Sequence, residues 1–178
     1  MRRRASSIFG YYTAMELSTA DLMDLYPKAL LLRPIFRDFG GKRRFFGRVR
    51  TLRVFEDNAL VRKVLEEDGR GQVLVVDGGG SLRSALLGGN LARLALERGW
   101  SGVVVHGAVR DAEELKGLPL GVKALAAVPR KSAKEGRGLV DVPVAFAGAR
   151  ILPSWFLVAD EDGILLLPEP PSGGQSGG

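Results

Sequence analysis

Two short apolar runs, Val73-Leu74-Val75-Val76 and Val103-Val104-Val105, constrain this chain more than any other feature in it. Neither alternates polar with apolar residues, so each predicts a strand covered on both faces. The strands are expected over Gln72 to Val76 and Gly102 to His106. Between them, Leu91 to Arg98 has helical spacing, with Asn90 as the expected cap and Gly99 as the stop. Strand, helix, strand in that order predicts a parallel βαβ core.

The flanks extend the pattern in two ways. Upstream, Ser18-Thr19-Ala20-Asp21 starts a helix that Pro27 ends, and Phe45 to Phe55 reads as a strand whose alternation slips, as at a bulge. Asn58 to Glu67 is helical, with Leu60, Val61, Val64 and Leu65 as its stripe. Asp77-Gly78-Gly79-Gly80 ends the first buried strand, and Ser81 is the expected cap of a short helix from Leu82 to Leu87. Asp111 to Leu115 opens another. Downstream, Lys123 to Val128, Val142 to Ala147, Trp155 to Ala159 and Ile164 to Leu167 are short strands, and Asp160-Glu161-Asp162-Gly163 is a tight turn. A mixed first half and a mostly β second half fit a layered α/β/β sandwich or a partly closed barrel. One domain over residues 15–167 is expected, after a basic leader, 1–14, and before a flexible Pro/Gly/Ser-rich tail, 168–178. Met15 is an alternative start.

Composition removes several chemistries. With no cysteine there are no disulfides or thiolate sites, and with one histidine there is no multi-histidine zinc site within the chain. Any metal is held by oxygen, which favours Mg²⁺ or Mn²⁺. The lack of cysteine fits a cytoplasmic location. No apolar run is long enough to span a membrane. The formal charge of +6 invites a nucleic-acid reading. Arg2, Arg3 and Arg4 supply part of that charge from the leader. The best contact candidate, Lys42-Arg43-Arg44 before Phe45-Phe46, is equally a basic turn entering a strand. Direct nucleic-acid binding is therefore not expected.

Two turns carry the chemistry. Gly88-Gly89-Asn90-Leu91 opens a helix whose first amides lack partners, and a carboxylate could sit on them. The plainer reading is a link between helices with Asn90 as cap. Arg110-Asp111-Ala112-Glu113-Glu114 follows the apolar strand. Asp111 with Glu114 resembles a capping box, a role compatible with one Asp oxygen facing a metal. Arg110 emerges at a strand end, where its fork can grip a carboxylate. Asp77-Gly78-Gly79-Gly80 fits neither a dinucleotide nor a phosphate-loop pattern, because Arg83 stands where a third glycine is needed. It reads as a turn packed on its neighbours. His106 reads as a core or interface histidine. Lys131 and Lys134 lie in a cationic loop of a kind that is ordinarily a solvated face, and Lys134 is the one assigned to substrate binding.

The stretch Val73 to Arg83, with Phe55-Glu56-Asp57-Asn58 before it and Gly107 to Arg110 after it, resembles the family of the regulator of ribonuclease E activity. That family also contains metal-dependent 4-hydroxy-4-methyl-2-oxoglutarate aldolases. Their mark is Gly, twenty residues, Arg-Asp, two residues, and an acid, matched here by Gly89, Arg110, Asp111 and Glu114. The resemblance implies a swivelling β/β/α fold and a ring-shaped homotrimer with sites in the clefts between subunits, with a hexamer as the alternative assembly. It implies that Asp111 holds Mg²⁺ or Mn²⁺, that Arg110 binds substrate and enolate, and that Gly88 to Leu91 receive the pyruvyl carboxylate. Many aldolase members have Asp where this chain has Asn90. The expected function is a class II aldolase with oxaloacetate decarboxylase activity on a small oxo-acid. The alternative is a non-catalytic regulator that binds a ribonuclease. The general base is not identified by the sequence; a metal-bound hydroxide and a water ordered by Asp111 are the candidates.

Overall fold

The computed structural model describes residues 16–172. The expected leader, the Met15 start and the last residues of the tail lie outside that range.

Three consecutive strand–helix–strand passages build the core. β3 (Phe45–Arg53) leads through α2 (Ala59–Leu65) to β4 (Gln72–Asp77). β4 leads through β5 (Ala85–Leu87) and α3 (Gly89–Glu97) to β6 (Gly102–Val109). β6 leads through α4 (Ala112–Lys116) to β7 (Gly121–Ala127). The pairs β3–β4, β4–β6 and β6–β7 are all parallel. The expected βαβ core is therefore present, and all its strand ends point the same way.

Antiparallel strands extend this core. β11 (Phe156–Asp160) joins β3, and the hairpin to β12 (Gly163–Leu167) turns at Asp160 to Gly163 as expected. Three strands of two residues each, β1 (Leu30–Leu31), β2 (Arg37–Asp38) and β8 (Leu139–Val140), pair at β12, β7 and β3. The result is one ten-stranded sheet, with a separate two-stranded ribbon of β9 (Val144–Phe146) and β10 (Ala149–Ile151).

Alternate side chains sort into two layers. Leu74, Val76, Val103 and Val105 pack with Val61, Leu65 and Ala92 under α2 and α3. Val73, Val75 and Val104 point the other way and pack with Val144, Phe146 and Ile151 of the ribbon. At the far end, α1 (Thr19–Leu25) covers Phe156, Val158 and Leu165 through Leu22. Its Ser18 and Asp21 form a capping box. The architecture is the layered α/β/β sandwich, not a closed barrel.

Two local expectations are corrected. Leu82 to Leu87 is not a helix, since Ala85–Leu87 is a strand parallel to β6. β4 pairs with β6 only up to Asp77 opposite His106, so Ala108 and Val109 need another neighbour, and β5 supplies it. Nor does β3 bulge: its pairing with β4 is regular from Arg48 to Arg53. Its alternation slips because Thr51 is buried like Leu52 and donates its hydroxyl to the Val142 carbonyl.

Candidate active site

The sequence spacing between the two turns has a simple cause. β5 and β6 are parallel neighbours with α3 between them, so the residues following each strand meet at the same end of the sheet. The Arg110 N–H donates to the Leu87 carbonyl at 2.9 Å and clamps the two turns together. Ligands in open α/β sheets bind beyond such carboxyl ends.

Glycine is needed here for space. A Cβ on Gly88 would stand 2.8 Å from Asp111 Oδ2 and 3.1 Å from Arg110 Cγ. A Cβ on Gly89 would collide with the Glu114 carboxylate. Arg110, Asp111 and Glu114 therefore each press on one of the two glycines.

Asp111 has left-handed backbone, φ 60° and ψ 45°, which aspartate tolerates better than most side chains. The turn sends its carboxylate across to α3, where Oδ2 accepts the Gly89 N–H at 2.9 Å. Two expectations fall with this. Asp111 makes no side-chain cap on α4, so the capping box with Glu114 does not form, and Glu114 pairs with Arg93 of α3 instead. Asn90 is not the cap of α3, which starts two residues earlier than expected, with Gly88 at the cap position and no side-chain cap from that residue. The aspartate across the gap serves the first amide. Among the described residues the amides of Asn90 and Leu91 have no hydrogen-bond partner. They remain available to an anion.

A third segment completes the cavity. The loop carrying Lys131 and Lys134 is pinned rather than free. The Ala85 N–H donates to Arg130 O at 2.8 Å, and buried Ser132 donates to Ala85 O at 2.7 Å. The Asn58 N–H donates to Ala133 O, and the Ala133 N–H to Glu56 O, each at 2.9 Å. Asp57, 2% exposed, accepts the amides of Ala59, Glu135, Gly136 and Arg137. Burial opposes the charge of Asp57, but the four amides outweigh it and hold the carboxyl below its ordinary value.

The resulting cavity has a volume of about 270 Å³. Gly88, Gly89, Asn90, Leu91, Arg110, Asp111 and Lys134, every site residue read from the sequence, line it. Asn58, Arg62 and Lys131 also line it. Arg62 was missed, because the apolar stripe of α2 says nothing about its other face. Asp57 was missed because its four partners lie mostly in a distant loop. Asn58 Oδ1 is buried without a partner, which no sequence signal announces.

Electrostatics favour an anion. Arg62, Arg110, Lys131 and Lys134 face one carboxylate, Asp111. Among the described residues only Arg62 of these cations has an ion pair, to Glu66 at 3.3 Å.

The donors fit a hard cation held by few protein atoms. Among the described residues Asp111 Oδ1 accepts no hydrogen bond, whereas Oδ2 is taken by Gly89. Glu114 is committed to Arg93, and no cluster of three metal-binding side chains occurs among the described residues. One carboxylate oxygen, supplemented by water and substrate oxygens, suits Mg²⁺ or Mn²⁺ and not a softer ion.

The other candidates lie elsewhere. His106 stacks on Phe146 with ring centroids 4.7 Å apart, and its Nδ1 stands 3.7 Å from Asp77 Oδ1, too far for a hydrogen bond. A Cβ on Gly78 would meet Leu86 and the His106 carbonyl, so this glycine is packed against its neighbours, whereas exposed Gly79 borders a separate cleft with Phe55 and Leu139. Arg43 and Arg44, ahead of β3, reach Asp38, Glu161 and Asp160 at 3.6–3.9 Å. No helix among the described residues is long and apolar enough to cross a membrane.

A layered α/β/β domain with a cationic cavity at its parallel strand ends defines the class. The Aldolase/RraA profile, of the RraA-like group, matches residues 19–166, and the chain belongs to that family. A relative from Thermus thermophilus, 71% identical over 92% of this chain and all of its own length, is named 4-hydroxy-4-methyl-2-oxoglutarate aldolase. A solved structure described as the RNA-processing inhibitor RraA of Thermus thermophilus superposes with a TM-score of 0.87. It is 70% identical and covers 91% of this chain and 99% of its own. Another, described as an S-adenosylmethionine:2-dimethylmenaquinone methyltransferase of Geobacillus kaustophilus, has a TM-score of 0.84 at 46% identity. It covers 86% of this chain and 96% of its own.

Proposed function

We propose that this chain is a divalent-metal-dependent aldolase that cleaves 4-hydroxy-4-methyl-2-oxoglutarate to two pyruvates, and that it also decarboxylates oxaloacetate. The observation carrying this reading is the meeting of Arg110, Asp111 and two unpartnered helix amides in one cavity with excess positive charge. Relatives named as aldolases support the same reading.

In this mechanism the substrate's 2-oxo acid end lies at the start of α3. The Asn90 and Leu91 amides donate to its carboxylate, aided by the helix dipole. Asp111 would hold Mg²⁺ or Mn²⁺, and the ion, when bound, would supply a Lewis acid for the C2 carbonyl. Arg110 neutralises the charge that grows on the oxo-acid as the C3–C4 bond breaks. Lys134 adds to the attraction of the anion. The C4 hydroxyl proton leaves through a water ordered by Asp111 as the first pyruvate forms, and a proton delivered by water to C3 of the enolate gives the second. Oxaloacetate loses CO₂ through the same pyruvate enolate, so both reactions use one set of residues.

Pyruvate release from both substrates, measured with Mg²⁺ or Mn²⁺ and again with EDTA, tests the reading. A rate that EDTA abolishes supports it. No rate with any divalent cation rejects it and favours the second reading, a non-catalytic regulator that binds a ribonuclease. One observation favours that alternative: the neighbour described as an RNA-processing inhibitor. A methyltransferase is disfavoured, since Ser81 and Arg83 interrupt the alternating glycines that a cofactor loop after Asp77 would need. The family resemblance also makes a cytoplasmic trimer part of this reading, and sedimentation equilibrium tests the assembly.

A further inference from the structure

The proposed reaction uses Arg110, Asp111, Lys134 and the amides of α3, yet the cavity holds two more cations that it does not use. Arg62 comes from α2, and Lys131 from the loop after β7. Both sit on firm mounts. Val61, Val64 and Leu65 bury the opposite face of α2. Lys131 forms a bridge with Ala85, and the next residue, Ser132, is buried and bonded to Ala85 O and Ser84 Oγ. A surface lysine loop needs no such anchoring merely to be solvated. The one ion pair of Arg62, to Glu66, is exposed on both sides and worth little, so it leaves the guanidinium available.

Charge counting gives the same direction. One substrate carboxylate at the α3 amides and Arg110 leaves Lys131 without a counter-charge among the described residues and Arg62 with only its exposed pair to Glu66. Concave surfaces lined by one sign of charge concentrate ligands of the other. The cavity, at about 270 Å³, also has room beyond a pyruvyl group.

We propose that Arg62 and Lys131 hold a second carboxylate, so that the site selects dicarboxylic over monocarboxylic 2-oxo acids. The inference rests on the aldolase reading for the end of the substrate placed at Arg110. The two cations are specificity determinants, and neither touches the bond that breaks.

The test compares two ligands of equal chain length that lack the 4-hydroxyl and cannot be cleaved, 2-oxoglutarate and 2-oxopentanoate. Calorimetry in Mn²⁺ measures their binding to the full chain. The wild type is expected to bind the dicarboxylate about tenfold or more tightly, the scale of one charge-assisted contact. The double variant Arg62→Gln/Lys131→Gln loses most of that ratio. Lys63→Gln, which removes a positive charge from α2 outside the cavity lining, keeps it. No preference in the wild type overturns the inference, as does a preference that survives the double substitution or an equal loss for both ligands. Pyruvate release is measured in parallel. Turnover without discrimination sinks this inference and leaves the aldolase standing. Discrimination without metal-dependent turnover keeps the dicarboxylate subsite and sinks the aldolase.

Discussion

Two glycine turns follow buried strands in this chain, and they do opposite things. Gly78 after β4 gives up its side-chain space to Leu86 and the His106 carbonyl, so the chain fills its own gap. Gly88 and Gly89 after β5 give theirs to Arg110, Asp111 and Glu114, and the charged groups that fill it border a cavity. Counting glycines cannot separate the two. What separates them is whether the vacated space is taken by an apolar side chain and backbone, as at Gly78, or by charged side chains from another turn, as at Gly88 and Gly89.

The sharpest way to break this contrast is to remove the charged occupants. Arg110→Ala and Asp111→Ala are each expected to cut metal-dependent pyruvate release by about 10²–10³-fold, the scale of losing a group aimed at developing charge. A coupled lactate dehydrogenase assay reads the rate, and thermal melting confirms the fold. Unchanged turnover in both variants would remove the site from consideration.

Alanine at the glycines comes next. At Gly89 the new methyl collides with the Glu114 carboxylate and moves the motif, so activity is expected to fall about 10- to 100-fold. At Gly78 the methyl meets a packed side chain and a backbone carbonyl 2.9 Å away, which costs stability of about 1–3 kcal/mol. Activity per folded molecule should survive there. Should Gly78→Ala damage kcat while leaving the melting temperature alone, the two turns are not different in kind.

A smaller effect concerns the loop that closes the open turn's cavity. Asp57→Asn replaces an acceptor of four amides with a group that can serve fewer, at a cost of about 1–3 kcal/mol at neutral pH. The folded pKa of Asp57 lies below its ordinary 3.8. Its stabilisation is therefore complete above that value and is lost as the pH falls through the folded pKa. Chemical denaturation at pH 7 and at successively lower pH should find the gap between wild type and Asp57→Asn shrinking only below about 4. A constant gap would mean that the charge of Asp57 contributes nothing.

The reach of sequence reading follows the range of the interactions. The βαβ core was legible because Val73–Val76 and Val103–Val105 lie between two covering layers, and continuous apolarity records that directly. Arg110 was placed at a strand end by the apolar run before it, and the structure sets it and Asp111 beside the Gly88–Leu91 turn in one cavity. The helix expected at Leu82 to Leu87 was not a helix, since three apolar residues carry no usable period and an edge of β6 decided their state. The start of α3 was misread for a similar reason. Asn90 looks like a cap, but the cap comes from Asp111 in another turn. Asp57 was invisible because its role depends on the amides of residues 135–137, which only the folded chain brings near.

The smallest expected effect probes the amides left unpartnered. Asn90 is the second residue of α3, where a negative side chain interacts well with the helix dipole. Asn90→Asp should therefore raise stability by about 0.3–1 kcal/mol. It also places a second carboxylate in a cavity that now has one, so Mn²⁺ should bind several-fold more tightly, by calorimetry, through added Coulomb attraction. The same charge opposes an anionic substrate, so KM should rise even as less metal is required. Gly79→Asp, placed in the exposed part of the turn after β4, adds the same charge outside this cavity's lining and should leave metal affinity unchanged. If both variants alter Mn²⁺ binding alike, the effect is one of net charge, and the open turn has no special claim on the cation.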